Sequence, residues 1–590
     1  MQSRINRRQF LHGAGLAVSS VAASAWLAAC QPGAPVAAPG AAAGEAAGST
    51  AAGLVNALGV DLPADALPLS EQYIKAGISQ VGGAYGHLME SIYNRAFGHA
   101  CGTDTLTTLD IDFNVVGIGA ESWKISEDGL SWIFSLRPGL VFSNGEAVRA
   151  QDWVYTLRYA LSHNYDFAWF YFDIKNAQKV AAGEMKPEEL GIEAIDELTL
   201  QITTETPVPY LPGLGTWFCV APENAWEELG ENWAVDPARY VSSGPFTLTQ
   251  FDRNVANKWE LNATYKGVRR PYLIEIREEN LPAGLPAYIA GDLQTYNLSG
   301  ETPAAEIQLI QANPALNAEQ HPGIAGNTDY LGFNTTGKFA PLDDANVRLA
   351  LCKAIDKEVL VQEIFQGFSS PAWGILPKGF PNDIGDTLKA LDPNVYDPAA
   401  AKQLLADAGF PDGKDFPVFE LWVRQPTPKQ QALAEAIQAR WKENLGIQVE
   451  VRPADFQSFT GALKEEAPIY FVNYSLDYYD PATFLNVFRS TGRHPHLDPA
   501  WDEFYNAANA TLDPAERFEL MAQAETMLVE NTAFYFLHSP FSIDLWPCNL
   551  KGEALEPNED GFQFFGGGGP GCPHAYEGMY WSNSDCRVDV

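Results

Sequence analysis

Two spacings of apolar residues alternate along the chain, and the places where one gives way to the other mark its elements. In Leu130-Ser-Trp132-Ile-Phe134-Ser-Leu136 every second residue is apolar. The stretch Ala120 to Ser126 precedes it across Glu127-Asp128-Gly129, so the pattern predicts a hairpin on an Asp-Gly turn. Arg137-Pro138-Gly139 and Asn144-Gly145 punctuate a second pair. Trp153, Val154, Leu157, Ala160 and Leu161 then fall at helical spacing. Asp397 as cap, Pro398 in the first turn, the run Ala399 to Ala408 and Gly409 as stop predict another helix, and Asp513-Pro514 opens one in the same way. Residues 429 to 445 carry Leu433, Ile437, Trp441 and Leu445 on one face. Gly446 and the alternating Ile447, Val449 and Val451 follow, a helix-turn-strand unit that feeds a sheet. The alternation of the two patterns predicts an α/β body.

The first thirty residues read as an export leader. Arg4, Arg7 and Arg8 form a positive segment before the mildly apolar stretch Gly13 to Ala29. Arg7-Arg8 followed by Gln9-Phe10-Leu11 looks like a twin-arginine signal. Leu27-Ala28-Ala29-Cys30 looks like a lipobox, in which Cys30 becomes the lipidated first residue after removal of residues 1–29. Residues 30–65 begin with that cysteine and continue as an Ala/Gly/Pro tether with Glu45 as its one charge before Asp61. No later window offers 18 consecutive apolar residues, so the expectation is a body held by lipid at the periplasm or the outer face of a cell membrane.

Composition narrows the function. The chain has 590 residues, with 38 Lys+Arg against 74 Asp+Glu and a formal charge of −36, which excludes a nucleic-acid binder working through a general basic field. Removing the leader leaves 35 basic and 74 acidic residues and a charge of −39. Hydrophobic residues make up 46% and aromatics 12%, too apolar for an acidic disordered chain. Apart from Cys30 the cysteines are Cys101, Cys219, Cys352, Cys548, Cys572 and Cys586. An oxidising exterior permits disulfides among them, with connectivity open, and Cys352 in an apolar helical run reads as a buried thiol.

Ser126 to Leu161 (SEDGLSWIFSLRPGLVFSNGEAVRAQDWVYTLRYAL) resembles the signature of family 5 extracellular solute-binding proteins, the oligopeptide- and dipeptide-binding components of ABC importers. Further blocks occur in the family's order. They are Ser243 to Phe246 with Asn262 to Gly267, Tyr330 to Thr335, Asn346 to Leu360, Tyr396 to Gly409, Asp477 to Leu485 and Leu512 to Glu530. The resemblance covers about residues 120 to 540 and implies an α/β, two-lobed clamp of periplasmic-binding-protein type II with an extra subdomain inserted in the first lobe. The implied first lobe is 66–95, 240–315 and 530–590, the inserted subdomain 96–239 and the second lobe 316–529. It further implies a monomer that captures peptides between the lobes and hands them to an ABC importer permease, with no cofactor and no bond made or broken.

In Tyr474-Ser-Leu-Asp477-Tyr478-Tyr479-Asp480-Pro481, Asp480 is placed to cap the helical run that follows, which leaves Asp477 without a structural duty. Asp477 matches the family's aspartate that pairs with a peptide's α-amino group, and Tyr474 matches an aromatic near the ligand's first side chain. Tyr478 completes the expected ligand-binding set. Relatives can carry a carboxylate-holding arginine six residues before that aspartate, where this chain has Phe471. His494-Pro-His496 reads as two loop histidines rather than a metal site, Gly566, Gly568 and Gly571 as a Gly-rich loop rather than a dinucleotide site, and Trp169 to Phe172 as core rather than a sugar platform. The alternatives kept open are an oligosaccharide, amine or metal-complex ligand on the same fold and, remotely, a secreted hydrolase.

Overall fold

The computed structural model describes residues 54–77, 102–163, 168–230, 233–252, 255–279, 284–298, 301–323, 326–556 and 578–584. The leader, Cys30, most of the tether, Cys101, Cys572, Cys586 and the glycine run 566–571 lie outside the described residues.

A mixed six-stranded sheet forms the centre of one half of the molecule. Its order is Ser369–Pro371, Phe534–Pro540, Asn327–Phe333, Ile469–Ser475, Phe419–Arg424 and Val449–Ala454. The last two strands run parallel to each other, Phe419–Arg424 also runs parallel to Ile469–Ser475, and the remaining pairs are antiparallel. Both faces are covered. Leu331, Leu421, Val423, Ile469 and Phe471 pack under helices Ala345–Lys353, Lys357–Phe365, Pro398–Asp407 and Pro428–Leu445. Tyr330, Trp422, Tyr470, Val472 and Tyr474 face the other way, into a cluster shared with helices Phe456–Ala462, Pro481–Leu485, Pro499–Asn509 and Pro514–Asn531. A sheet buried on both sides reads as nearly continuous apolar sequence, as Ile469-Tyr-Phe-Val472 does.

The helix boundaries follow local chemistry. Asp397 accepts hydrogen bonds from the amides of Ala399 (3.1 Å) and Ala400 (2.9 Å), satisfying donors that the first turn leaves open. Thr427 and Gln430 form a capping box at the start of Pro428–Leu445, and Gly446 ends that helix at φ 75°. A Cβ at Gly446 would lie 2.3 Å from the Asp412 carbonyl oxygen, so both backbone conformation and space require glycine there.

The other half begins with the expected hairpin. Ala120–Ile125 and Ser131–Leu136 pair across a turn in which Gly129 has φ 72°, and Thr199–Thr203 and Ile192–Asp196 complete a four-stranded antiparallel sheet. Helix Ala150–Ser162 buries Trp153, Val154, Leu157 and Leu161, the spaced apolar set of the sequence. A second four-stranded sheet orders Tyr73–Gly77, Glu275–Glu279, Ala256–Leu261 and Phe246–Asp252. A three-stranded sheet joins Tyr296–Leu298, Ser542–Leu545 and Gln320–Gly323.

The chain passes between the three-stranded and six-stranded sheets twice, between Gln320–Gly323 and Asn327–Phe333 and again at Phe541. Gln320–Gly323, expected in the second lobe, pairs with Ser542–Leu545, while Phe534–Pro540, expected in the first lobe, pairs with Asn327–Phe333. Helix Pro514–Asn531 delivers that strand directly to the larger sheet, which no local pattern could reveal. Among the described residues no helix is long and apolar enough to cross a membrane.

Candidate functional site

The strand Ile469–Ser475 runs out of the six-stranded sheet into Leu476 to Asp480, and this exit carries the three expected ligand residues. Asp480 does what the sequence predicts. Its Oδ1 accepts from the Ala482 amide at 2.9 Å and caps helix Pro481–Leu485. It also receives both arms of Arg517, at 2.8 and 2.7 Å, so its charge is fully matched.

Asp477 is different. Its backbone is pinned at both ends: the amide donates to Thr483 Oγ1 at 2.9 Å, and the carbonyl accepts from Trp217 Nε1 at 2.7 Å. Its half-buried carboxylate receives one hydrogen bond, from Tyr474 Oη at 2.5 Å, and no cation lies within ion-pair distance among the described residues. Burial pushes its pKa up to about 7, against the opposing pull of the Tyr474 hydroxyl and of Arg493. A carboxyl that is held in place, partly desolvated and lacking a cation gains most from a bound ammonium.

Trp217 ends the short turn Gly215–Trp217 in the half that carries the hairpin sheet, so Asp477 sits where that half meets the large sheet. Trp217 is itself braced: Phe170 stacks on it at 4.3 Å, and Tyr171 Oη donates to its carbonyl at 2.6 Å. Phe170 and Tyr171 are therefore core residues that hold the wall of the site. Tyr478 is buried and stacks on Tyr210 at 5.1 Å, and Tyr210 Oη donates to Asp173 Oδ2 at 2.9 Å. Tyr479 stacks on Phe113 at 4.8 Å. The exit segment is thus clamped between the two halves by aromatic pairs, and Tyr478 serves as one of those pairs. Tyr474, also buried, points toward Asp477 with Arg493 over its ring at 4.6 Å.

Phe471 faces away from all of this, into the aliphatic side of the sheet. Because side chains alternate along a strand, an odd offset from Tyr474 places Phe471 on the opposite face. Arg493 lies over the Tyr474 ring and meets Arg424 at the carbonyl oxygen of Asn473, a juxtaposition made only by the fold. His494 and His496 lie in a loop, as expected, and their rings are buried. Tyr330 Oη lies 2.9 Å from His494 Nε2, and Thr335 Oγ1 lies 3.0 Å from His496 Nδ1. Burial depresses the pKa of both rings, that of His496 to about 4. Among the described residues no cluster of three or more His, Cys, Asp or Glu could hold a metal ion.

Cys352 is a buried free thiol whose pKa is pushed up to about 12 by its surroundings. Cys548 is disulfide-bonded.

Comparison with known proteins accords with this geometry. Over 469 residues the chain is 26% identical to the oligopeptide-binding protein OppA of Bacillus subtilis (strain 168), covering 76% of this chain and 84% of the relative. It is 28% identical over 444 residues to a probable deoxycholate-binding periplasmic protein of Escherichia coli (strain K12), covering 72% and 79%. Among solved structures, a periplasmic oligopeptide-binding protein from Borrelia burgdorferi superposes with a TM-score of 0.66 at 26% identity, covering 82% of this chain and 97% of that one. The fold is that of type II periplasmic-binding proteins. The sequence profile of the bacterial extracellular solute-binding proteins, family 5, matches residues 114–495, and the chain belongs to that family.

Proposed function

We propose that the protein captures peptides in the cleft between its lobes, with Asp477 receiving the ligand's α-amino group. The observation that carries this reading is the Asp477 carboxylate: fixed by Tyr474 and by two backbone contacts, partly desolvated, and without a cation within ion-pair distance among the described residues. An ammonium arriving there exchanges water for a charge-assisted hydrogen bond in a low-dielectric setting. The names of the relatives from Bacillus subtilis and Borrelia burgdorferi support a peptide as ligand.

In the same reading, residues 1–29 are an export signal of the twin-arginine type, Cys30 carries lipid, and residues up to 65 are the tether of a monomeric receptor that serves an ABC importer permease. The first lobe is 66–95, 240–315 and the chain after 540, with strand Gln320–Gly323. The inserted unit is 96–239. The second lobe is 326–540, closing by hinge motion where the chain passes between the two sheets, after Gly323 and at Phe541. The protein binds and releases its ligand unchanged.

Native mass spectrometry of residues 31–590, followed by identification of what denaturation releases, tests the ligand class. Peptides with free amino termini are expected. A sugar, metal complex or steroid acid in their place overturns the reading. The variant Asp477→Asn is expected to lose about tenfold or more in affinity for those peptides, the scale of one hydrogen bond to a charged group. Unchanged affinity would sink the amine role.

A further inference from the structure

Where the half carrying the hairpin sheet meets the half carrying the six-stranded sheet, two opposite charges face each other without pairing. Asp173 follows the turn Ala168–Tyr171 and is tied to the hairpin sheet by its surroundings: the Glu205 amide donates to the Asp173 carbonyl at 3.0 Å, and Ile174 bridges to Thr204. Arg489 follows helix Pro481–Leu485 and the turn Asn486–Phe488. Its neighbour Ser490 donates its amide to Asp502 Oδ1 at 2.9 Å, on helix Pro499–Asn509. The two side chains therefore belong to different bodies.

Neither is satisfied on its own side. The half-buried Asp173 carboxylate accepts one hydrogen bond, from Tyr210 Oη at 2.9 Å, and Tyr210 belongs to the same half. The half-buried Arg489 guanidinium has no ion-pair partner among the described residues, and its Nε is shut off from solvent with no acceptor there. A buried N–H of a charged group in that state is destabilising until an acceptor reaches it. Asp480 and Asp502, on the same side as Arg489, are occupied: the first by both arms of Arg517, the second by the Ser490 amide. Tyr505 is fully buried among these charges, and its hydroxyl also has no partner among the described residues. Burial raises the pKa of Asp173, opposed by the Tyr210 hydroxyl and by the charge of Arg489. Arg489 is thus near enough for its charge to be felt, yet beyond ion-pair distance.

Tyr210 spans the same boundary. Its ring stacks on Tyr478 at 5.1 Å with an interplanar angle of 4°, and its hydroxyl receives Asn509 Nδ2 at 3.4 Å while holding Asp173. A shift of one half against the other therefore moves Asp173 relative to Arg489.

We propose that Asp173 and Arg489 form a latch between the two halves: as the cleft closes, carboxylate and guanidinium pair, and the pair sets how much of the ligand-free protein is closed. This rests on the hinge motion of the functional reading and is independent of which ligand is bound. Opposite charges carried on two bodies act only in the state that brings them together, so they bias the equilibrium between open and closed forms. Partial burial beside Tyr210 and Tyr505 makes their attraction stronger than that of an exposed pair.

Pulsed electron paramagnetic resonance on the ligand-free chain, residues 31–590, tests the latch. Nitroxide labels are placed at Glu184→Cys and Lys442→Cys, exposed positions on the two halves. The unaltered pair is expected to give a short and a long distance. Asp173→Asn and Arg489→Gln, which preserve size, should each lower the ratio of short to long by about fivefold or more. The two substitutions together should lower it no further than one alone, and the exchange of Asp173→Arg with Arg489→Asp should restore it. A ratio that neither single substitution moves overturns the latch alone. Losses that add in the double variant, or an exchange that restores nothing, overturn it as well. One distance that is the same in the unaltered protein and in every variant overturns the hinge motion itself, and the latch with it.

Discussion

The two faces of the strand Ile469–Ser475 are built to opposite rules. On one face Ile469 and Phe471 join Leu331, Leu421, Val423 and the helix residues Leu433, Ile437 and Trp441 in a cluster dominated by aliphatic and aromatic side chains. On the other, Tyr470, Val472 and Tyr474 sit among Tyr330, His494, Arg493 and Asp477, where hydroxyls, rings and charges must find partners one by one. The first face is stabilised by area removed from water and tolerates any well-packed apolar set. The second retains desolvated ionisable groups near the exit of the strand. Within the second face Asp480 and Asp477 repeat the contrast at a distance of three residues: one is matched by Arg517, the other has no cation within ion-pair distance among the described residues.

The contrast can be broken most severely from the apolar side. Trp441 is fully buried and donates its Nε1 to the Leu351 carbonyl at 2.8 Å. Trp441→Ala is expected to destabilise the second lobe by about 3–5 kcal/mol, read as a lowered denaturation midpoint. Under native conditions ligand affinity should be retained, and a comparable loss of affinity would show that the faces are not separable.

Asp480→Ala removes the partner of a nearly buried arginine and is expected to cost about 3–5 kcal/mol at most, the scale of an uncompensated buried charge. Asp477→Asn, three residues earlier, should leave thermal stability unchanged or raised, because it replaces a desolvated acid by a neutral group. A large loss of stability in Asp477→Asn would make Asp477 a structural residue and end the contrast.

The smallest expected effect is in pH. The Asp477 carboxyl titrates near 7 when folded, above its unfolded range, so the folded state holds the proton more tightly. Its contribution to stability is fully present below the unfolded pKa and is lost as pH rises through about 7. Binding of an ammonium needs the ionised form, so affinity for free-amine peptides should rise between about pH 5.5 and 7.5, below the usual titration of an α-amino group. N-acetylated peptides should show no such rise. A flat profile for both would remove Asp477 from the amine subsite.

Much of this was legible in the residues. Asp397, Asp480 and Asp513 announce their helices because capping is a local transaction between a side chain and amides two or three residues on. The hairpin at Gly129 and the helix bearing Trp153 were visible for the same reason. Asp477 could be singled out because Asp480 already accounted for the cap. The histidines could not be read in this way: His494-Pro-His496 looks like a polar loop, yet both rings are buried against Tyr330, Phe488 and Phe534.

By itself the sequence determined the export leader as an expectation, the α/β alternation, the capped helices and the aspartate without a structural duty. All of these depend on neighbours within a few residues or on an ordered set of motifs. Only the tertiary structure decided that Phe534–Pro540 joins the larger sheet, that Trp217 grips the Asp477 carbonyl from 260 residues away and that Arg424 and Arg493 converge on one carbonyl oxygen. Strand order, desolvation and the meeting of like charges are set by residues far apart in the chain. The charge state of Asp477 in particular is a property of the closed surroundings and not of the aspartate.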